Sequence, residues 1–262
     1  MRVPRLYLPV SLVPGQELAL DERCHRHAVQ VLRLKPGAPL VLFNGDGNDY
    51  PAELLEAERR ASTVRVLERR KNASESPLAI TLVQGVAKGD HMDYSLQKAV
   101  ELGVDSIVPV LCERSVARLD DRRLEKKHEH WMGIVLAACE QSGRSRIPGI
   151  GAIQPLDAWL ESFSGAGLVL DPRARLSLGS IPAPADRCCV LVGPEGGLSE
   201  TELDKARAAG LNAIRFGPRI LRTETAASAV LTALQLRWGD LDATPADQEA
   251  GCLAPGQTHT GS

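Results

Sequence analysis

An apolar strand that runs into a glycine- and proline-rich loop, which then opens a helix, leaves a chain few ways to fold. This sequence carries two such segments near its C-terminal end. One is Val190-Leu-Val-Gly-Pro-Glu-Gly-Gly-Leu-Ser-Glu-Thr-Glu202, the other Gly217-Pro-Arg-Ile-Leu-Arg-Thr-Glu-Thr-Ala226. Their glycines and prolines permit backbone shapes that other residues resist. Helix N-termini present free N–H groups and suit anions or polar ligand edges. Open α/β sheets bind ligands at the carboxyl ends of their strands. Two such loops in one small domain therefore point to one composite site.

The surrounding pattern agrees. From Leu78 onward strands alternate with helices. Strands are expected over residues 78–86, 105–111, 167–170, 188–192 and 213–216, and helices over 92–102, 120–142, 156–163, 199–209 and 225–238. Ser199 with Glu202 three residues later is the spacing of a capping box. Such alternation predicts an α/β fold, a mostly parallel sheet with helices on both faces. Residues 1–72 differ. Short strands are expected over 5–10, 17–20, 40–43, 50–55 and 62–69, with a helix over 24–32 and a hairpin at Asn44-Gly-Asp-Gly-Asn48. Many short strands around one helix read as a small β-barrel. The polar stretch 73–77 ends in Pro77 and is the expected linker between domains 1–72 and 78–239. The tail, 240–262, has the composition of a disordered segment.

Bulk properties exclude several classes. No apolar run approaches the roughly 20 residues that span a bilayer, and the N-terminus is too broken by proline for a signal peptide. A cytoplasmic protein is expected, with no membrane partner. The net charge of −2 argues against a generic nucleic-acid binder, yet residues 1–72 hold 12 Lys/Arg against 9 Asp/Glu. That mild excess permits RNA contact without demanding it. The six cysteines show no ligand-like spacing, and His25-x-His27 has nothing nearby to complete a metal site, so no metal is expected.

Individual residues carry weaker signals. Gly193-Pro-Glu-Gly-Gly197 is neither a P-loop nor a dinucleotide fingerprint. A glycine-dense loop without a basic residue suits a ligand held by backbone groups, and equally a ligand-free turn. Thr223 reads as a helix N-cap with Ala226 at N3, and Glu224 suits the first turn. Arg222 has no capping use at a helix start, which favours a ligand-facing role. Glu140, Gln141 and Arg144 crowd polar groups at the end of an apolar helix, as a site rim would. Arginines there also complement the helix dipole. Arg23, His25, Arg26, His27 and Arg33 cluster on or near one helix, which suits phosphate contact and equally a solvated face.

Five segments in order carry a resemblance. They are Gln97-Lys-Ala-Val-Glu-Leu-Gly103, Glu113-Arg-Ser115, Ala138-Cys-Glu-Gln-Ser-Gly-Arg144, Val192-Gly-Pro-Glu-Gly-Gly-Leu-Ser199 and Ile220-Leu-Arg-Thr-Glu-Thr-Ala226. Together they resemble the ribosomal RNA small-subunit methyltransferase E family of the SPOUT superfamily. His25-x-His27, Val31-Leu-Arg33 and Phe43-x-Gly45-x-Gly47 resemble that family's PUA-like RNA-binding module. The resemblance implies a trefoil knot in the parallel sheet. It implies S-adenosylmethionine held by Leu170, Gly193, Pro194, Glu195, Gly196, Gly197, Ile220, Leu221, Arg222, Thr223, Thr225 and Ala226. It implies a homodimer whose sites are completed at the subunit interface. The substrate would be one uridine of small-subunit (16S) ribosomal RNA, methylated at N3 in the assembled subunit. Catalysis would fall to Arg222, with Glu140 or Glu224 as base, and RNA contact to Arg23, His27, Arg33, Arg114 and Arg144. The competing expectations are a transfer-RNA methyltransferase and a non-catalytic RNA-binding assembly factor.

Overall fold

The computed structural model describes residues 3–115 and 121–243. Residues 244–262, most of the expected disordered tail, lie outside the described residues, as does Cys252.

The N-terminal part forms a six-stranded sheet of β1 (Arg5–Tyr7), β2 (Glu17–Ala19), β3 (Pro39–Phe43), β4 (Asn48–Ala57), β5 (Ser62–Val66) and β6 (Arg70–Lys71). The order is β1-β3-β4-β5-β2, with β6 beside β4. Every pairing is antiparallel except β1 on β3. Two-residue alternation sets the faces: Tyr50, Ala52 and Leu54 of β4 point into a core with Leu40, Leu42, Val64 and Val66. The expected hairpin joins β3 to β4. Gly45 and Gly47 take φ of 95° and 84° at its tip, a region open to glycine. Asn44 and Asp46 each accept the N–H two residues on, the local bond that favours these residues in turns.

The helix of this domain starts before its expected position. Asp21 Oδ1 accepts the Cys24 N–H at 2.7 Å, capping α1 (Glu22–His25). A π-helical segment, Arg26–Val31, follows. Arg23 and Cys24 reach the Tyr7 carbonyl on β1, while His25 Nδ1 meets Ser62 Oγ on β5 at 3.1 Å. The expected barrel is therefore bridged by helix side chains, and no ladder joins β1 to β2 among the described residues.

The C-terminal part is a seven-stranded sheet. Its elements in chain order are β7 (Ala79–Gly85), α2 (Asp90–Glu101), β8 (Ser106–Leu111), α3 (Asp121–Ser142), β9 (Gly149–Ile150), β10 (Gln154–Pro155), α4 (Leu156–Ser162), β11 (Gly167–Leu170), β12 (Arg187–Val192), α5 (Glu200–Ala208), β13 (Leu211–Ile214) and α6 (Thr223–Trp238). The order is β10-β8-β7-β12-β11-β13, with β9 beside β8, and every pairing is parallel. Successive residues of the central strands feed opposite faces. Ile80, Leu82, Val190 and Val192 pack under Leu96, Trp131 and Leu231 of α2, α3 and α6. Val83, Cys189 and Leu191 pack under Trp159 and Leu203 of α4 and α5. A strand apolar on both faces is what a doubly covered parallel sheet requires.

Two boundaries move for local reasons. β13 begins at Leu211 rather than 213, because Gly210, at φ 100°, ends the α5 turn and releases the chain at once. After β13, at the sheet edge, the chain returns inward, and α6 packs on α2 and β12. α6 starts at Thr223, with Arg222 at the N-cap and no side-chain cap bond. The expected Thr223 cap does not form, because its hydroxyl is used elsewhere. The expected capping box does form: Ser199 accepts from Glu202 N, and Glu202 accepts from Ser199 N.

The two parts meet at the end of α3. Arg5 makes a two-pronged bond to Asp49 at 2.8 and 2.9 Å and reaches Ser145 Oγ at 2.7 Å. Asn72 donates to Asp49 and to the Gly143 carbonyl, both at 2.9 Å. Burial alone would raise the Asp49 carboxyl. The bonds from Arg5, Ser145 and Asn72 outweigh it and hold the group below its ordinary value.

Candidate active site

The carboxyl ends of β11, β12 and β13, with the start of α2, surround a cavity of about 660 Å³, within the usual range for small-molecule sites. The loop after β12 forms one wall. Gly197 N–H bonds the Pro194 carbonyl at 2.8 Å, closing a tight turn. Two glycines are demanded by neighbours. A Cβ on Gly196 would lie 2.9 Å from Arg114 Cβ, and one on Gly85 would lie 2.6 Å from Pro194 N. Glu195 accepts the Lys88 N–H at 2.7 Å and ties this wall to the β7–α2 loop.

The loop before α6 forms the opposite wall. Thr223 Oγ1 donates to the Gly193 carbonyl at 2.7 Å and accepts from Gln84 Nε2 at 3.0 Å. Gln84 is fully buried on β7. One hydroxyl thus joins the penultimate residue of β7, the glycine loop and the head of α6. The β8–α3 connection supports the wall formed after β12. Glu113 N–H donates to Glu202 Oε1 at 2.7 Å, and Arg114 donates to the Gly196 carbonyl at 3.1 Å.

Leu170, Gly193, Pro194, Glu195, Gly196, Gly197, Ile220, Leu221, Arg222, Thr223 and Ala226 all line the cavity, as does Glu224. Thr225 does not; it faces solvent on the first turn of α6. Gly217 and Arg219 of the second segment also line it, as do Phe216 and His91, which the sequence reading missed. Phe216-Gly217-Pro218 repeats the strand-to-glycine-to-proline signal of Val192-Gly-Pro194 and could have been found. His91 has no motif to mark it.

Two expected site residues lie elsewhere. Glu140 is at the domain junction, where Oε1 accepts the Tyr7 N–H at 2.9 Å and Arg23 Nη1 at 2.8 Å. Arg144 is buried beneath the same junction. It donates to Glu75 at 2.6 Å and to the Val100 and Val104 carbonyls at 3.2 and 2.8 Å. Its side chain is 5% exposed, so it presents no face to RNA. Of the other expected RNA contacts, Arg33 is exposed at φ 54°, His27 is partly exposed and Arg114 rims the cavity. Arg23 is half-buried against Glu140. Among the described residues no cluster of three His, Cys, Asp or Glu could hold a metal. Burial pushes the thiols of Cys24, Cys112, Cys139 and Cys189 up to about 12 and Cys188 to about 11, which leaves them inert as nucleophiles.

A glycine-walled cavity at the ends of parallel strands thus stands beside a small, mostly antiparallel domain. The family description "RNA methyltransferase domain" matches residues 74–235, and "RNA methyltransferase PUA domain" matches residues 25–67. The ribosomal RNA small subunit methyltransferase E of Buchnera aphidicola is 35% identical over 242 residues, 92% of this chain and 98% of that one. The Bacillus subtilis protein of the same name is 29% identical over 86% of this chain and 90% of its own. The crystal structure of the Neisseria gonorrhoeae ribosomal RNA small subunit methyltransferase E, bound to S-adenosylmethionine, superposes with a TM-score of 0.87. That protein is 39% identical over 92% of this chain and all of its own. The chain belongs to the ribosomal RNA small subunit methyltransferase E family.

Proposed function

We propose that this chain transfers a methyl group from S-adenosylmethionine to small-subunit ribosomal RNA, at N3 of one uridine in the assembled subunit. The observation that carries the cofactor is the cavity itself. Its β12 wall is backbone brought close by Gly193, Gly196 and Gly197, and its inner face is apolar at Leu170, Leu198, Phe216 and Leu221, while its cations are Arg114, Arg173, Arg219 and Arg222. A nucleoside with an amino-acid arm and a cationic sulfur fits such a wall better than a polyphosphate does. When bound, S-adenosylmethionine supplies an electrophilic methyl group on a sulfur that leaves without protonation.

The protein's own residues supply position and proton transfer. N3 of uracil is a weak acid and a poor nucleophile while protonated, so its proton must be taken as the bond forms. Arg222 lines the cavity and is exposed, and its guanidinium makes no hydrogen bond among the described residues; it orients or stabilises the uracil or its phosphate. Glu224 serves removal of the proton. Glu140 serves the domain junction instead. Arg33, His27 and Arg114 contact the RNA. The functional unit is a homodimer in the cytoplasm, the apolar Ile220 at the lip, 85% exposed, being covered by the partner. No described helix is long and apolar enough to cross a membrane.

The test is a methyl-transfer assay with labelled cofactor and three substrates: unmodified small ribosomal subunits, naked ribosomal RNA and bulk transfer RNA. 3-Methyluridine, identified by mass spectrometry and formed from the subunits alone, is the expected result. Transfer to transfer RNA, or cofactor binding with no transfer at all, sinks it.

A further inference from the structure

His91 stands in the cavity wall, two residues beyond Gly89 in the first turn of α2. Its Nδ1 lies 3.1 Å from Glu224 Oε1. The contact is electrostatic: the carboxylate stabilises positive charge on the ring, and in the neutral ring one nitrogen carries the hydrogen while the other keeps a lone pair. Nε2 has no hydrogen-bond partner among the described residues. Exposure divides the pair: the His91 side chain is 42% exposed and that of Glu224 only 14%. Glu224 Oε2 is buried without a hydrogen-bond partner. The carboxylate therefore sits behind and the imidazole in front, the relation in which an acid residue orients a base and stabilises its cation.

We infer that His91 is the general base of the reaction and that Glu224 is its positioning residue. This rests on the methyl-transfer reading above. The N3–H bond of uracil breaks and the proton goes to His91 Nε2. The electron pair left on N3 forms the new bond to the methyl carbon. The carbon–sulfur bond breaks and its pair stays on sulfur, which leaves as a neutral thioether. His91 then returns the proton to solvent. Glu195, in the loop after β12, holds the Lys88 N–H. Arg222 stands before α6, and Arg114 bonds the Gly196 carbonyl. On α2 itself, Asp90 is exposed and Asp93 bonds His130 of α3 at 2.8 Å. Glu224 is the carboxylate in contact with the ring.

The experiment is single-turnover methyl transfer to unmodified small subunits by the wild type, His91→Ala, His91→Gln and Glu224→Gln, with cofactor affinity measured in parallel. Both His91 variants should lose about 100-fold or more in rate at neutral pH with cofactor affinity unchanged. Their residual rate should climb about tenfold per pH unit, because solvent base must then ionise the uracil, while the wild-type rate levels off. Glu224→Gln keeps the size of the side chain but not its charge, and should fall between. His91→Gln fills the space of the imidazole and guards against a folding defect in the alanine variant. A wild-type rate in either His91 variant overturns the inference, and so does a rate loss matched by an equal loss of cofactor affinity. A wild-type protein that binds cofactor and methylates nothing brings down the parent reading instead.

Discussion

Arg222 and Gly85 show how differently single residues serve one cavity. Arg222 supports nothing around it, so Arg222→Ala should lower methyl transfer about 100-fold, the cost of one lost transition-state donor. Cofactor affinity and melting temperature should barely change; equal losses in rate and affinity would assign the residue to the cofactor. Gly85 touches no substrate, but a Cβ there would meet the ring and nitrogen of Pro194, each at 2.6 Å. Gly85→Ala should push the glycine loop aside and weaken cofactor binding about tenfold, or ~1.4 kcal/mol, by calorimetry. The cavity loops were legible in the sequence because glycine and proline mark unusual backbone directly. Glu140 and Arg144 were misread for a physical reason. Polar groups crowded at the end of an apolar helix look alike whether they face a ligand or another domain. His91 was illegible, since a lone histidine near a helix start becomes meaningful only when Glu224, far away in sequence, is folded against it.

At the scale of elements, the head of α6 is held by its first residue rather than by a cap. Thr223→Val keeps the shape but removes the donor to Gly193 and leaves the buried Gln84 amide short of a partner. The expected cost is about 1–3 kcal/mol in urea denaturation, with a matching loss of cofactor affinity because the glycine loop loses its tether. α5 offers the contrast. Ser199→Ala breaks only a capping box at the far end of that loop and should cost about 1 kcal/mol. Apart from the two-residue strands β9 and β10, which were missed, the strands and helices of the parallel sheet could be read from the sequence to within a few residues, since strand and helix repeat their apolar residues with different periods. What could not be read were features set by tertiary partners. The diversion of the Thr223 hydroxyl is one, and the bridging of the small sheet by α1 is another.

Across the whole molecule, the two domains are fastened by ion pairs at the end of α3. Asp49 is the group to test. Its carboxyl is held below the ordinary value, so its contribution is fully present above about pH 3.9, where the unfolded carboxyl ionises. It is lost as pH falls through the lower folded value. Melting temperature followed from pH 5 downward should drop more steeply in the wild type than in Asp49→Asn, which has already lost that charge; parallel curves would assign the junction's strength elsewhere. The strand order carries a consequence for how the protein is made. β7 lies at the centre of its sheet beside β12, with Ala79 opposite Arg187. Contacts so distant along the chain form slowly. During synthesis, therefore, the N-terminal domain can acquire its core while the central strand β7 still waits for a neighbour. The cavity assembles only after α6 has left the ribosome, so a truncated product lacking that helix would present a finished N-terminal domain beside an unfinished cavity.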